Sequence, residues 1–450
     1  MSTSYQTALK IIEEIGHHNN DTVVKGIKDG HNIRIVGDNI NVKMGVKYER
    51  SDHHGNMLNW FASAVILQET SFTGLSEIQQ CEAEELQLAA FLPTMDDERQ
   101  LKNDLSSLIS KVAHEFLPQL QFLHNKAAVN VIPENADDLA RKNTIVPLPV
   151  LPLNEQKYAD VVQILDHYED TISNFFEEAA STVQKVHVGG DLLTRERFTG
   201  AKGLRSGCAT EKERFDNLYP ITFEMWHTAM NFLLLKFKSL FDENSFEKGG
   251  MNAAKIRLKR KTVKKEVQNH YDHDKDFFLS FLKSYIVEAL CDFFGIEEVT
   301  DRPTVNVPDD PNDTNCVQSK MDEFIDKYVF AVGTDATSVN VQETEVLTVT
   351  PLELLLPNGQ KSTVNILKKQ KQSSLVADYD RIKHYGHVVL QLGLIYMNFL
   401  DICKIPDRSR MMCTFKYMLM IFKASNNRSK YALEILRFPC HQQSSYSLKV

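Results

Sequence analysis

Asn32-Ile-Arg-Ile-Val-Gly-Asp-Asn-Ile40 decides how the first half of the chain is read. Apolar branched residues alternate with polar ones, which predicts a β-strand with one buried face. Gly37-Asp38 then predicts a turn that leaves a carboxylate at the strand end. A second stretch, Val183-Gln-Lys-Val-His-Val-Gly-Gly-Asp191, repeats the pattern: a short apolar strand over Val183–Val188, then Gly189, Gly190 and Asp191. If the two strands are neighbours in one mixed sheet, Asp38 and Asp191 lie within metal-bridging reach. Such a pair can hold divalent ions of the kind that stabilise the attacking and leaving oxygens of a phosphodiester. The plain alternative is two turns, because Gly and Asp are ordinary turn residues.

Outward from these strands, Met57–Leu67 predicts another strand and Asn217–Trp226 a further one, followed by a helix from His227 to Phe241. Tyr5–Ile15 has helical spacing, stopped by Gly16 and the His17–Asn20 run. Leu101–Leu123 carries a helical stripe of Leu101, Leu105, Leu108, Ile109, Val112 and Phe116. Ile145–Leu153 holds three prolines and predicts an extended connector. Ala159–Glu178 is helical, as are Asp276–Phe294, Met321–Phe330, Ile382–Cys403 and Arg408–Ser425. Thr300–Asn315 reads as a polar linker, and Gly333–Ser374 has no clean period and reads as a long flexible excursion. Strands with helices followed by helices alone imply an α/β domain over residues 1–240 and an all-helical domain over 241–437. The latter is interrupted near 300–320 and 333–374, and a polar tail covers 438–450.

The 450 residues are 42% hydrophobic and 25% charged, enough for two or three domains with real cores. A net charge of −9 means that any nucleic-acid contact must come from a local patch. Lys255–Lys265 is such a patch. Lys255, Arg257, Lys259, Arg260, Lys261, Lys264 and Lys265 make seven basic residues in eleven, suited to phosphates or to nuclear import, or else forming a solvated face. The seven cysteines are odd in number and without CxxC spacing, which argues for reduced thiols inside the cell, in nucleus or cytoplasm, and against secretion. Val388–Leu400 is too short to span a bilayer and predicts a buried helix, so no membrane partner is expected. The pairs His17-His18 and His53-His54 lack partners for a zinc site and read as structural or surface histidines. Trp226-His227 reads, at its plainest, as an aromatic plug with a capping histidine.

The chain resembles a known family. Asn32–Ile40 with Ser51-Asp-His-His54 and Trp60-Phe61 is similar to the opening of the family catalogued as domain of unknown function 6589. Further matches follow in order: Phe91-Leu-Pro93, Gly190-Asp-Leu-Leu-Thr-Arg-Glu-Arg197, Met225-Trp-His-Thr228, Asp276-Phe-Phe278, Tyr385–Leu400, Phe415-Lys-Tyr417 and Tyr431–Leu436. The resemblance spans residues 5–437. It implies a transposase-derived protein with a ribonuclease-H-like core, in which the first acid ends the first strand and the second ends a later parallel strand. A histidine follows, then a helical insertion, then a third acid. Asp38, Asp191 and His227 take the first three places, as catalytic residues, with Asp38 and Asp191 as ligands of Mg²⁺ or Mn²⁺. The insertion would cover Leu240–Leu436. Beyond Leu436 the chain departs from the family pattern where the third acid is expected, which implies a shortened member that no longer cuts DNA, with Glu288 as the substitute to consider. The function implied is a remnant DNA transposase. The alternatives are a non-enzymatic DNA-binding or protein-interaction module, or a protein without retained function.

Overall fold

Ile33 and Ile35 on one face and Ile40 and Val42 on the other favour extended backbone, and the computed structural model carries them in one long strand, β1 (Asn32–Met44). The structure describes residues 20–45, 48, 55–68, 88–124, 137, 140–330, 343–355, 361–373, 381–425 and 429–444. The expected helix Tyr5–Ile15 and both histidine pairs lie outside the described residues.

β1 pairs antiparallel with β2 (Asn56–Gln68) along its whole length, from Asn32↔Gln68 to Met44↔Asn56. Gly37-Asp38 is therefore not a turn. The ladder with β2 supplies backbone partners on both sides of it, so the chain continues extended. β4 (Val186–Gly190) lies parallel to β1, with Arg34–Val36 opposite His187–Gly189. The two predicted strands are thus neighbours, and the parallel pairing ends just before Asp38. β5 (Leu218–Phe223) continues the sheet parallel to β4.

The three-proline stretch is more than a connector. β3 (Thr144–Pro147) pairs antiparallel with β2, and Phe61 and Leu151 exchange backbone hydrogen bonds of 2.9 Å beyond it. Proline lacks an N–H and is tolerated at a sheet edge, which is where this segment runs. The sheet order is β3-β2-β1-β4-β5. Helical residues 20–28 (α1), which no apolar period announced, bury Val23, Val24 and Ile27 against one face of it. The same core receives α3 (Tyr158–Glu178) and α4 (Leu192–Arg205), the crossovers that parallel strands require.

A second core is helical. It joins α2 (Met95–Phe116) and α5 (Met225–Leu240) to α6 (Met251–Arg257), α7 (Val267–Phe294), α8 (Thr314–Ile325), α9 (Arg381–Lys404), α10 (Arg408–Ala424) and α11 (Ser429–Ser444). Arg410 binds inside it to Asp104 at 3.2 Å and Asp401 at 3.0 Å. α9 is long and apolar enough to cross a membrane. Half of its apolar window is buried in this core, where Asn398 donates to Thr414 at 3.0 Å.

Two expectations need correction. Within 333–374, β6 (Glu343–Leu355) and β7 (Lys361–Ser373) form an antiparallel pair, in line with the preference of threonines and valines for extended backbone. The segment set apart as a tail begins inside α11, whose Phe438 packs against Phe415 and Phe223 at ring distances of 5.5 and 6.4 Å. α11 also ties the two cores together. Glu434, almost fully buried, takes Arg195 of α4 at 3.1 Å, and Tyr431 accepts from Asn231 of α5 at 2.7 Å.

Candidate metal centre

Asp38 stays in the ladder with β2, just past the end of the pairing with β4. Its exposed carboxylate accepts from the backbone N–H of Asn39 at 2.8 Å. Asp191 follows Gly190 directly and caps α4, accepting from the Thr194 N–H at 2.7 Å. It is a helix N-cap, not a turn residue. Glycine is required beneath both acids. A Cβ on Gly37 would stand 2.6 Å from the Phe61 ring, and one on Gly190 would stand 2.5 Å from Thr194.

Oxygens of Asp38, Asp191 and a third carboxylate, Glu155, lie within 4.8 Å of one another. Glu155 is fully buried. One of its oxygens accepts from the Asn39 side-chain amide, and the other accepts from the Thr194 hydroxyl at 2.6 Å. The pinning of Leu151 to Phe61 carries the chain over the sheet edge and places Glu155 there. Burial pushes its carboxyl up to about 7. The Thr194 hydroxyl pulls the other way, and the charges of Asp191 and Asp38 add to the rise.

His227, in the first turn of α5, turns Nε2 toward Asp38 at 3.6 Å. Burial of the ring opposes its charge, but Asp38, Asp191 and Glu224 outweigh that and hold the imidazole above its ordinary range. Behind it, Glu224 pairs with Arg34 of β1. His187 meets the Thr222 hydroxyl at 2.6 Å, and burial together with the Arg34 charge drives its pKa down to about 3.

Asp38, Asp191 and His227 are therefore brought together, as the sequence implied. Glu155 was missed. The signal for it was present, since an apolar extended stretch ends in Asn154-Glu155 much as the strands end at Asp38 and Asp191. The third carboxylate was instead sought beyond Leu436 or at Glu288. Glu288 is exposed on α7 and stands outside the carboxylate group, because the period of that helix turns it to solvent. The basic run covers the end of α6 and the turn toward α7, anchored by buried Val263. Arg257, Lys259, Arg260, Lys261, Lys264 and Lys265 are exposed, while Lys255 lies half-buried over Phe241 at 5.3 Å. Arg260 pairs with Asp276 at 3.0 Å.

The model of the family of unknown function DUF6589 matches residues 80–449. The chain belongs to this family. The DUF6589 match takes in Glu155, Asp191 and His227, begins after Asp38, and extends through most of the segment that the motifs had set apart as divergent. No curated protein and no solved structure matches the chain.

Proposed function

We propose that this DUF6589 chain is a transposase-type protein for metal-dependent phosphoryl transfer on DNA, built on a ribonuclease-H-like sheet. The observation that carries the proposal is the convergence of Asp38, Glu155 and Asp191, from three separate segments, within 4.8 Å. The fold reading is supported by the first acid lying on β1 and the second following the parallel strand beside it.

The donor set fits Mg²⁺ or Mn²⁺. All three groups offer hard oxygen ligands, and the hydrogen-bond partners of Glu155 are neutral. When bound, the ion supplies a Lewis acid for a phosphoryl oxygen and lowers the pKa of the attacking water or hydroxyl. Asp38 and Asp191 present ligand oxygens at the sheet edge. Glu155 anchors the set from below, held by Asn39 and Thr194. His227 holds a proton at Nε2, facing Asp38, where it can neutralise charge on a phosphate or a leaving oxygen. The exposed cations of Lys255–Lys265 supply backbone phosphate contacts. The third carboxylate supports reading the centre as active instead of as an inactive remnant.

Strand cleavage or transfer with Mg²⁺ or Mn²⁺, compared between the wild type and Asp38→Asn, Glu155→Gln and Asp191→Asn, tests this. Metal-dependent activity should be lost in each variant. One observation favours a non-enzymatic DNA-binding or protein-interaction module. Asp191 already caps α4, and both Glu155 oxygens already have partners. Full stability and DNA binding without Mn²⁺ affinity would establish that second reading.

A further inference from the structure

The chain has two tryptophans, and both border Asp38. Trp60 is the register partner of Ile40, which shares a sheet face with Asp38, and it is 38% exposed. Trp226 directly precedes His227 and is 53% exposed. It is not a loose surface ring. The His227 ring meets it edge-to-face at 4.6 Å, and Tyr271 of α7 meets it in the same way at 5.4 Å. Lys275 lies 4.8 Å from the Tyr271 ring, and α7 begins directly after the basic run. Carboxylates, His227 and Trp226 thus stand in series, with buried Tyr271 backing the indole and Lys275, which pairs with Asp272, beside it.

We propose that Trp226 is a stacking platform for an unpaired base, so that the substrate of the carboxylate centre is nucleic acid with a single-stranded or extruded nucleotide at the reacting phosphate. The substrate assignment rests on the phosphoryl-transfer reading; the measurement below does not. The two distances, 3.6 Å from Asp38 to His227 and 4.6 Å from His227 to Trp226, put the indole within one nucleotide's reach of the carboxylates. A rigid aromatic surface fixed beside cations is what sequence-tolerant binders of single strands use. A paired base hides its faces in the helical stack. It meets such a ring only after leaving the stack, which is easiest at an end, a mismatch or a single-stranded stretch.

The test uses the full chain carrying Trp60→Phe, which leaves Trp226 as the sole indole reporter, in buffer without divalent metal. Ten-residue oligothymidylate should quench the fluorescence, and a blunt ten-base-pair duplex should quench it far less. By fluorescence anisotropy of a labelled oligothymidylate, Trp226→Ala should weaken single-strand binding by about ten- to a hundredfold, with Trp226→Phe restoring most of it. Equal quenching by single and double strands, unchanged affinity in Trp226→Ala, or no oligonucleotide binding would each overturn the proposal. Because no metal is present, loss of cleavage with stacking intact counts against the phosphoryl-transfer reading alone. Cleavage without stacking counts against this one.

Discussion

Thr194 serves two acids at once: its N–H binds Asp191 at 2.7 Å and its hydroxyl binds Glu155 at 2.6 Å. Thr194→Val keeps the backbone contact and the shape but removes the hydroxyl from Glu155. Groups that orient metal ligands typically matter by about 10- to 100-fold in affinity. Calorimetric titration with Mn²⁺ should show a loss in that range for Thr194→Val and near-normal binding for Thr194→Ser. Equal affinities in the two variants would mean that the hydroxyl does not position Glu155.

Metal binding should depend on pH through Glu155, whose carboxyl sits at about 7. Its folded value lies above the unfolded one, so between roughly pH 4.5 and 7 the folded chain holds a proton that the unfolded chain has released. Stability from this group therefore declines as pH rises through that window. A cation needs the carboxylate, so Mn²⁺ affinity should rise about tenfold per pH unit up to 7 and then level off. Thermal stabilisation by Mn²⁺ should be small at pH 5.5 and large at pH 8. Glu155→Gln should flatten both profiles, and an unaltered profile in that variant would remove Glu155 from the ligand set.

Lys236 on α5 is fully buried, without a hydrogen-bond partner among the described residues, over the Phe232 ring at 2.8 Å and 5.6 Å from Tyr396. Burial holds its amine well below the ordinary lysine range. The unfolded chain therefore binds the extra proton, and stability rises with pH until the unfolded lysine titrates near 10.4, by about 1.4 kcal/mol per unit. Lys236→Met should raise the unfolding free energy at pH 7 by about 1–3 kcal/mol. Chemical denaturation should show that gain shrinking toward pH 10. A gain independent of pH would mean that the ring stabilises a charged amine.

Association with DNA should weaken with salt, with a log–log slope of about −0.9 per phosphate neutralised. Replacing Lys259, Arg260 and Lys261 by alanine should make that slope shallower by about two to three such steps. Arg260 shares its charge with Asp276, so it should contribute least of the three. Fluorescence anisotropy across a salt series reads this directly. Identical slopes would assign the run to a solvated surface.

Much of the centre was legible because Asp38 and Asp191 each follow a short local pattern, and because apolar strands in like contexts tend to pair. The helical half was legible for the same reason: a stripe such as Leu101, Leu105, Leu108 and Val112 identifies its buried face within one segment. Glu155 was not. Its place depends on Phe61 holding Leu151, a contact between distant segments that no local period announces. Gly37 misled because glycine before aspartate suits a turn, whereas here it lets the Phe61 ring press against the strand. The β6–β7 pair escaped notice because runs such as Lys368-Lys-Gln-Lys-Gln372 leave no apolar face to read.

The buried pair between Arg195 and Glu434 imposes an order on synthesis. Arg195 leaves the ribosome 239 residues ahead of its counterion. All three acids, Asp38, Glu155 and Asp191, precede it. Until Glu434 emerges, Arg195 of α4 lacks the buried carboxylate it pairs with in the folded chain. The nascent protein therefore carries all three acids long before the carboxylate that pairs with Arg195 of α4 has been made.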